Sequence, residues 1–250
     1  MPVHTRSRFR AHEVVRERAF ERNRIAAFPL ARVPVFPYGP CVKRISVVGL
    51  KGGVGKSTLS VNIASALAQH NKVVGIDTDP QQTMLMWAAR AEDPGFDVVF
   101  MEPKQLKSGP RGGYEVAVID TAPRLDGRTR TILGLSDLVV LPVLPGVDFW
   151  ALQRTLELFT NAAARHTRGA VVLNRVRSNT RVGRDAIAGI KELVEDYEVH
   201  ACETTLADRI VFSESMIHGN SVFVHEPGSS GAEEMAALVH ELVGVMEAGK

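Results

Sequence analysis

The chain has 250 residues, 45% of them hydrophobic, with a formal net charge of +2. That is enough apolar material for one large α/β core, and no apolar run reaches the roughly 18–20 residues that a bilayer span needs. Two cysteines, Cys41 and Cys202, are too far apart for a CxxC pair and too few for an iron–sulfur cluster, so they read as reduced packing thiols of a cytoplasmic protein.

The charge is uneven along the chain. Residues 1–40 carry eight arginines against Glu13, Glu17 and Glu21, a net of +5, which leaves 2 − 5 = −3 for the remaining 210 residues. Any nucleic-acid contact therefore rests on a local patch or on this leader. Residues 11–28 have the arginine and glutamate spacing of a charged helix, and Pro29, Pro34, Pro37 and Pro40 then form a helix-breaking linker. Three readings of the leader compete. It is a basic arm for DNA or a partner, a solvated extension of no consequence, or a targeting peptide. Its glutamates and lack of a hydrophobic segment argue against the last.

From residue 43 strands and helices alternate, and residues 41–250 read as one domain. The short apolar runs at 43–49, 72–77, 96–101, 116–120, 137–142 and 170–174 predict strands. Helices are predicted at 57–70, 82–90, 149–165, 183–196, 206–218 and 232–246. Continuous apolar strands separated by helices indicate an α/β fold with a largely parallel twisted sheet, covered by helices on both faces.

Between the first strand and the first helix lies Lys51-Gly52-Gly53-Val54-Gly55-Lys56-Ser57-Thr58. Strand, glycine loop and helix in this order make a phosphate-binding loop, so the fold class narrows to a P-loop NTPase. The glycines let successive N–H groups turn toward phosphate oxygens at a helix N-terminus. Lys56 is placed to reach the β- and γ-phosphates of ATP, and the Ser57 hydroxyl to hold Mg²⁺. Leu50 stands where the common loop has Gly or Ala.

Two carboxylate motifs end later strands. Asp77-Thr78-Asp79-Pro80-Gln81 closes the second, and Val116-Ala117-Val118-Ile119-Asp120 has the form of a Walker B strand. Ligands of such sheets bind at the carboxyl ends of strands, so both motifs are expected to face the loop. Asp77 and Asp120 join Ser57 as candidate Mg²⁺ ligands, Asp120 through water. Asp79 is the candidate to orient or deprotonate an attacking water. Alternatively, Asp77 and Asp79 cap the helix that follows.

Lys51 is surplus to an ordinary phosphate loop. Two lysines cannot easily share one set of phosphate oxygens, whereas two facing protomers give Lys51 a place on the nucleotide of the other. Nucleotide state would then control dimerisation.

Taken together, Lys-Gly-Gly-x-Gly-Lys-Ser-Thr, Asp-x-Asp-Pro-Gln and Ile-Asp-Thr-Ala-Pro resemble the ParA/MinD deviant-Walker ATPases. The match is best to the small ParA-type partition ATPases without an N-terminal helix-turn-helix domain, and it extends from about residue 42 to the C-terminus. The resemblance implies that Lys51 is the signature lysine and Asp79 the catalytic carboxylate. It also implies that Asn174 and Pro227, the latter in a segment Ser221-Val222-Phe223 to Glu226-Pro227-Gly228, line the adenine. It further implies an ATP-dependent homodimer on the nucleoid, non-specific DNA binding and a ParB-like activator. Gly49-Leu50 and the arginine-rich leader depart from the family pattern.

Arg175, Arg177, Arg181, Arg184 and Arg209 form the candidate DNA patch, against the alternative of a solvated helix face. A MinD-like membrane role is disfavoured because residues 232–250 carry Glu233, Glu234, Glu241 and Glu247 with only Lys250 basic, which anionic lipid repels. A ParA-like factor that positions a protein cargo carries the same motifs. A metabolic ligase on this fold has little use for Lys51.

Overall fold

A computed structural model describes residues 42–248 apart from 125, 147, 148 and 178. The leader, its expected helix and Cys41 lie outside the described residues. In chain order the sheet strands are β1 (Lys43–Val47), β2 (Val73–Asp77), β3 (Asp97–Phe100), β4 (Val116–Asp120), β5 (Leu138–Val143), β6 (Arg168–Leu173) and β7 (His200–Ala201). The helices are α1 (Lys56–Leu67), α2 (Thr83–Arg90), α3 (Gly127–Leu133), α4 (Phe149–Ala162), α5 (Arg181–Val194), α6 (Val211–Ile217), α7 (Val222–His225) and α8 (Ser230–Glu247).

Every ladder is parallel, in the order β3-β2-β4-β1-β5-β6-β7. Alternation along the strands sorts the core into two faces. Ile45, Val47, Val73, Val116, Val118, Leu138 and Val140 pack under α1 and α8. Val139, Leu141, Val171 and Leu173 pack under α4 and α5, and Val74, Ile76, Ala117 and Ile119 under α3. α1 is buried almost all round, including Ser60, Asn62 and Ser65.

The register is what positions the site. Asp120 is the Cα partner of Val47 on one side and of Asp77 on the other. The two carboxylate strands therefore end level with the strand that feeds the glycine loop. By the same alternation, Asp77 and Asp120 share the face of Val73 and Val118, beneath α1.

Several boundaries differ from expectation. The helix expected at 206–218 begins only at Val211. Leu206 N–H instead donates to the Leu173 carbonyl, and Ala207 bridges Val176, so this apolar stretch extends the sheet edge. α3 was not foreseen, and neither was the 3₁₀ turn Pro103–Ser108, although both carry start signals. Asp126 accepts from Arg128 and Thr129 N–H, and Glu102 forms a capping box with Gln105. The two-residue β7 and the four-residue α7 are too short for periodicity to reveal.

Cys202 packs into the core as expected, and burial, reinforced by Glu241 and Glu203, pushes its thiol pKa up. Its sulfur, His200 and Glu241 bring ligand atoms within 4.8 Å of one another. Glu241, however, already accepts from His200 and from Glu203 and Thr204 N–H, so it serves as a clamp between α8 and the chain after β7.

Candidate functional site: a phosphate loop ringed by carboxylates

The loop is built on two left-handed glycines, Gly53 at φ 75° and Gly55 at φ 97°. Gly55 is also the N-cap of α1, and no side chain caps that helix. The first N–H groups of α1 are therefore directed into the loop, the arrangement an anionic phosphate satisfies. Val54 is buried and anchors the loop from below.

Asn174, at the end of β6, reaches this loop directly. Its Nδ2 donates to the Val54 carbonyl at 2.8 Å, and its Oδ1 accepts from Arg175 N–H at 3.0 Å. A Cβ on Gly55 would collide with the same amide group. So Gly55 is required twice, by its φ and by the close approach of Asn174. Pro227 is exposed in the turn after α7. That segment is tied to α1, where Asn62 Oδ1 accepts from Val222 N–H at 2.9 Å and Ser65 bonds Ser221 at 2.8 Å.

The two loop lysines differ in kind. Lys56 is buried, and its Nζ donates to the Lys51 carbonyl at 2.9 Å. Burial lowers its pKa, opposed by the charges of Asp120 and Asp79. The Lys51 side chain is exposed on the loop rim.

Asp120 is fully buried at the end of β4. The Ser60 hydroxyl lies 3.1 Å from its Oδ1 and 3.0 Å from the Lys56 carbonyl, and shares one proton between them. Oδ2 has no partner among the described residues. Burial raises the Asp120 pKa to about 7, with Asp77 adding to the rise and the Ser57 and Ser60 hydroxyls and Lys56 opposing it. A buried carboxylate oxygen without a donor, next to a serine hydroxyl at a helix N-terminus, fits a hydrated divalent cation such as Mg²⁺.

Asp77 is otherwise engaged. Its Oδ1 accepts from Asp79 N–H at 3.0 Å and its Oδ2 from Leu85 N–H at 3.1 Å, so the carboxylate caps α2 across the intervening turn. Burial again raises its pKa, and these backbone bonds oppose the rise. Asp79 is half-buried, and its Oδ1 accepts from Gln81 N–H at 2.9 Å. Two threonines missed by sequence reasoning lock the strand ends. Thr78 Oγ1 donates to the Asp120 carbonyl and Thr121 Oγ1 to the Val47 carbonyl, each at 2.7 Å. Ser60 was missed as well, and its signal was a polar residue one turn after Ser57 on the helix that follows the loop.

The arginines of the expected DNA patch are mostly paired. Arg177 makes two bonds to Asp208 (2.9 and 2.7 Å), and Arg209 two bonds to Glu234 (3.0 and 2.7 Å). Arg181 lies 3.4 Å from Asp185. Arg175 and Arg184 are exposed and outside ion pairs among the described residues.

The nucleotide-binding domain family of CobQ, CobB, MinD and ParA matches residues 45–222. The chain belongs to this family. Among relatives of this ParA/MinD-family protein is the maintenance of carboxysome distribution protein A of Halothiobacillus neapolitanus. It is 28% identical over 210 residues, covering 80% of this chain and 95% of that protein. The chromosome-partitioning ATPase Soj of Thermus thermophilus is 25% identical, covering 81% and 96% respectively. An ATP complex of a McdA variant from Cyanothece superposes with a TM-score of 0.67 at 17% identity, covering 82% of this chain and 97% of that one, so it shares the fold. Among the described residues no helix is long and apolar enough to cross a membrane.

Proposed function

We propose that this chain is an ATP-hydrolysing dimerisation switch that distributes a cargo over DNA in the cytoplasm. The observation that supports it most is the division between the two loop lysines. Lys56 is buried against its own loop and serves the nucleotide of its own protomer, while the Lys51 side chain stands on the rim, where a second protomer's nucleotide can meet it.

In this reading the N–H groups of residues 52–58 cradle the phosphates of ATP, and Lys56 neutralises charge on the β- and γ-oxygens. Ser57 and Asp120 hold Mg²⁺, which when bound supplies further charge neutralisation at those oxygens. Asp77 keeps Asp79 in place through the bond to its N–H. Asp79 orients the attacking water and takes its proton. Lys51 adds charge in trans, so ATP promotes pairing and hydrolysis releases it. The switch binds DNA non-specifically in its ATP form, on the nucleoid, and a ParB-like DNA-binding protein stimulates turnover.

A second reading of the cargo has its own support. The chain is 28% identical to a carboxysome distribution protein against 25% to a chromosome-partitioning ATPase, at similar coverage of each, which supports a protein assembly as cargo.

The test is sedimentation velocity with ATP and Mg²⁺. Wild type should shift from monomer to dimer on adding ATP. Lys51→Ala should bind nucleotide but remain monomeric. A Lys51→Ala protein that dimerises normally with ATP overturns the trans role.

A further inference from the structure

Most of the positive charge expected to meet DNA is already matched by Asp208, Glu234 and Asp185. A second basic surface is not. Lys104 and Lys107 lie three residues apart on the 3₁₀ turn Pro103–Ser108, where side chains at that spacing eclipse. Leu106 of this turn packs in the same core cluster as Ile132 of α3, so turn and helix present one continuous outer surface. Arg124 and Arg128 line a cleft on that surface with Thr78, Pro80, Pro103 and Thr121.

All four cations are exposed, and none has an ion pair among the described residues. Two carboxylates adjoin them in sequence, Glu102 and Asp126, and Asp126 also lines the cleft; both are turned to backbone N–H groups, and the four cations leave the surface net positive. Glu102 belongs to the capping box, and Asp126 accepts from Arg128 and Thr129 N–H. The exposed large hydrophobics of the described residues, Met86, Trp150, Val182, Ile210, Ile217 and Val224, all lie on other elements. Protein interfaces are anchored mostly by aromatic and arginine side chains packed into apolar pockets, whereas a phosphate backbone needs only positioned charge, and charge is what this surface offers.

We infer that Lys104, Lys107, Arg124 and Arg128 form a contact surface for the sugar–phosphate backbone of DNA, read without regard to sequence. This rests on the DNA-binding reading above and changes its location. The surface also adjoins the nucleotide site. Thr121 follows Asp120, and Thr78 is bonded to the Asp120 carbonyl, so the cleft wall is made of the strand ends that carry the site.

The experiment is fluorescence anisotropy of full-length protein on a random-sequence DNA duplex, with ATP and Mg²⁺, over a series of KCl concentrations. Each lost phosphate contact lowers the slope of log K against log salt by about 0.9. K104Q/K107Q/R124Q/R128Q should therefore lower the slope by roughly 3 to 4 and weaken binding at least about tenfold at moderate salt. K104Q/K107Q, which leaves the cleft intact, should lower it by roughly 2. R177Q/R209Q should leave the slope near wild type. If wild type binds DNA with ATP and K104Q/K107Q keeps its slope, the surface is wrong while the DNA reading stands. If wild type itself shows no ATP-dependent DNA binding, the DNA reading fails and this surface with it.

Discussion

Asp120→Asn should stabilise the nucleotide-free, metal-free protein, and increasingly so as pH rises. The Asp120 carboxyl is fully buried, has one oxygen without a partner, and titrates near 7 in the fold. An unfolded aspartate titrates near 3.9. Between those values the folded state binds the proton and the unfolded state does not, so stability falls as pH rises. Below the unfolded pKa the penalty is absent, and above about 7 it is complete. A gap of that size corresponds to roughly 4 kcal/mol, since a tenfold change is about 1.4 kcal/mol. Asparagine has no such titration. It places an amide in the same pocket, and an unmatched N–H there costs about 1–3 kcal/mol, but that cost does not vary with pH. The diagnostic is therefore a slope. Urea unfolding of both proteins from about pH 4.5 to pH 8.5 should show the stability difference moving toward the variant by a few kcal/mol. With saturating Mg²⁺ and ATP the order should reverse, because only the carboxylate holds the cation. A stability difference that stays constant with pH would refute the reasoning, since it would mean Asp120 is ionised throughout.

Asn174→Ala should weaken ATP and GTP binding alike, by about 5- to 30-fold, because it leaves the Val54 carbonyl unmatched at a cost of about 1–2 kcal/mol to the loop. Competition binding with both nucleotides checks this; a loss of preference between the bases with loop affinity intact would instead restore the adenine role implied by the family resemblance. Asp79→Ala should still bind ATP and dimerise, with turnover reduced by about 10²–10⁴ and the dimer long-lived. Steady-state phosphate release measures it, and wild-type turnover would remove Asp79 from the chemistry.

What the sequence made legible follows from which contacts are local. The glycine loop is contiguous because phosphates must be wrapped by successive N–H groups, so Lys51 to Thr58 could be read directly. The six long strands were legible because parallel strands buried on both faces are apolar throughout. The ring around the loop was not. Ser60 meets Asp120 across 60 residues, Thr121 meets Val47 across 74, and Asn174 meets Val54 across 120. Those pairs depend on β1 lying between β4 and β5, an order that local pattern does not carry. The pairing of the arginines at 177 and 209 was hidden for the same reason. Their charge is visible in the sequence, but Asp208 and Glu234, 31 and 25 residues away, are matched to them only by the fold.

The site concentrates features that oppose folding. α1 begins without a side-chain cap, Lys56 is buried, and Asp120 has an unmatched oxygen. Features of this kind cost about 1–3 kcal/mol each and persist only where the surroundings over-determine them. Here the surroundings are a buried hydrophobic core. α1 is enclosed by β1, β4, α7 and α8, and three buried polar side chains along it have fixed partners: Ser60 to Asp120, Asn62 to Val222, Ser65 to Ser221. The same helix therefore supports the loop at its N-terminus, touches the Asp120 carboxylate one turn later, and grips the segment leading to Pro227 two turns later. A single rigid element spans the phosphate end of the site and the segment the family resemblance assigns to the base. The unfavourable groups at its head are held in place by packing along its length, and a nucleotide that satisfies those groups relieves a strain that the free protein already bears.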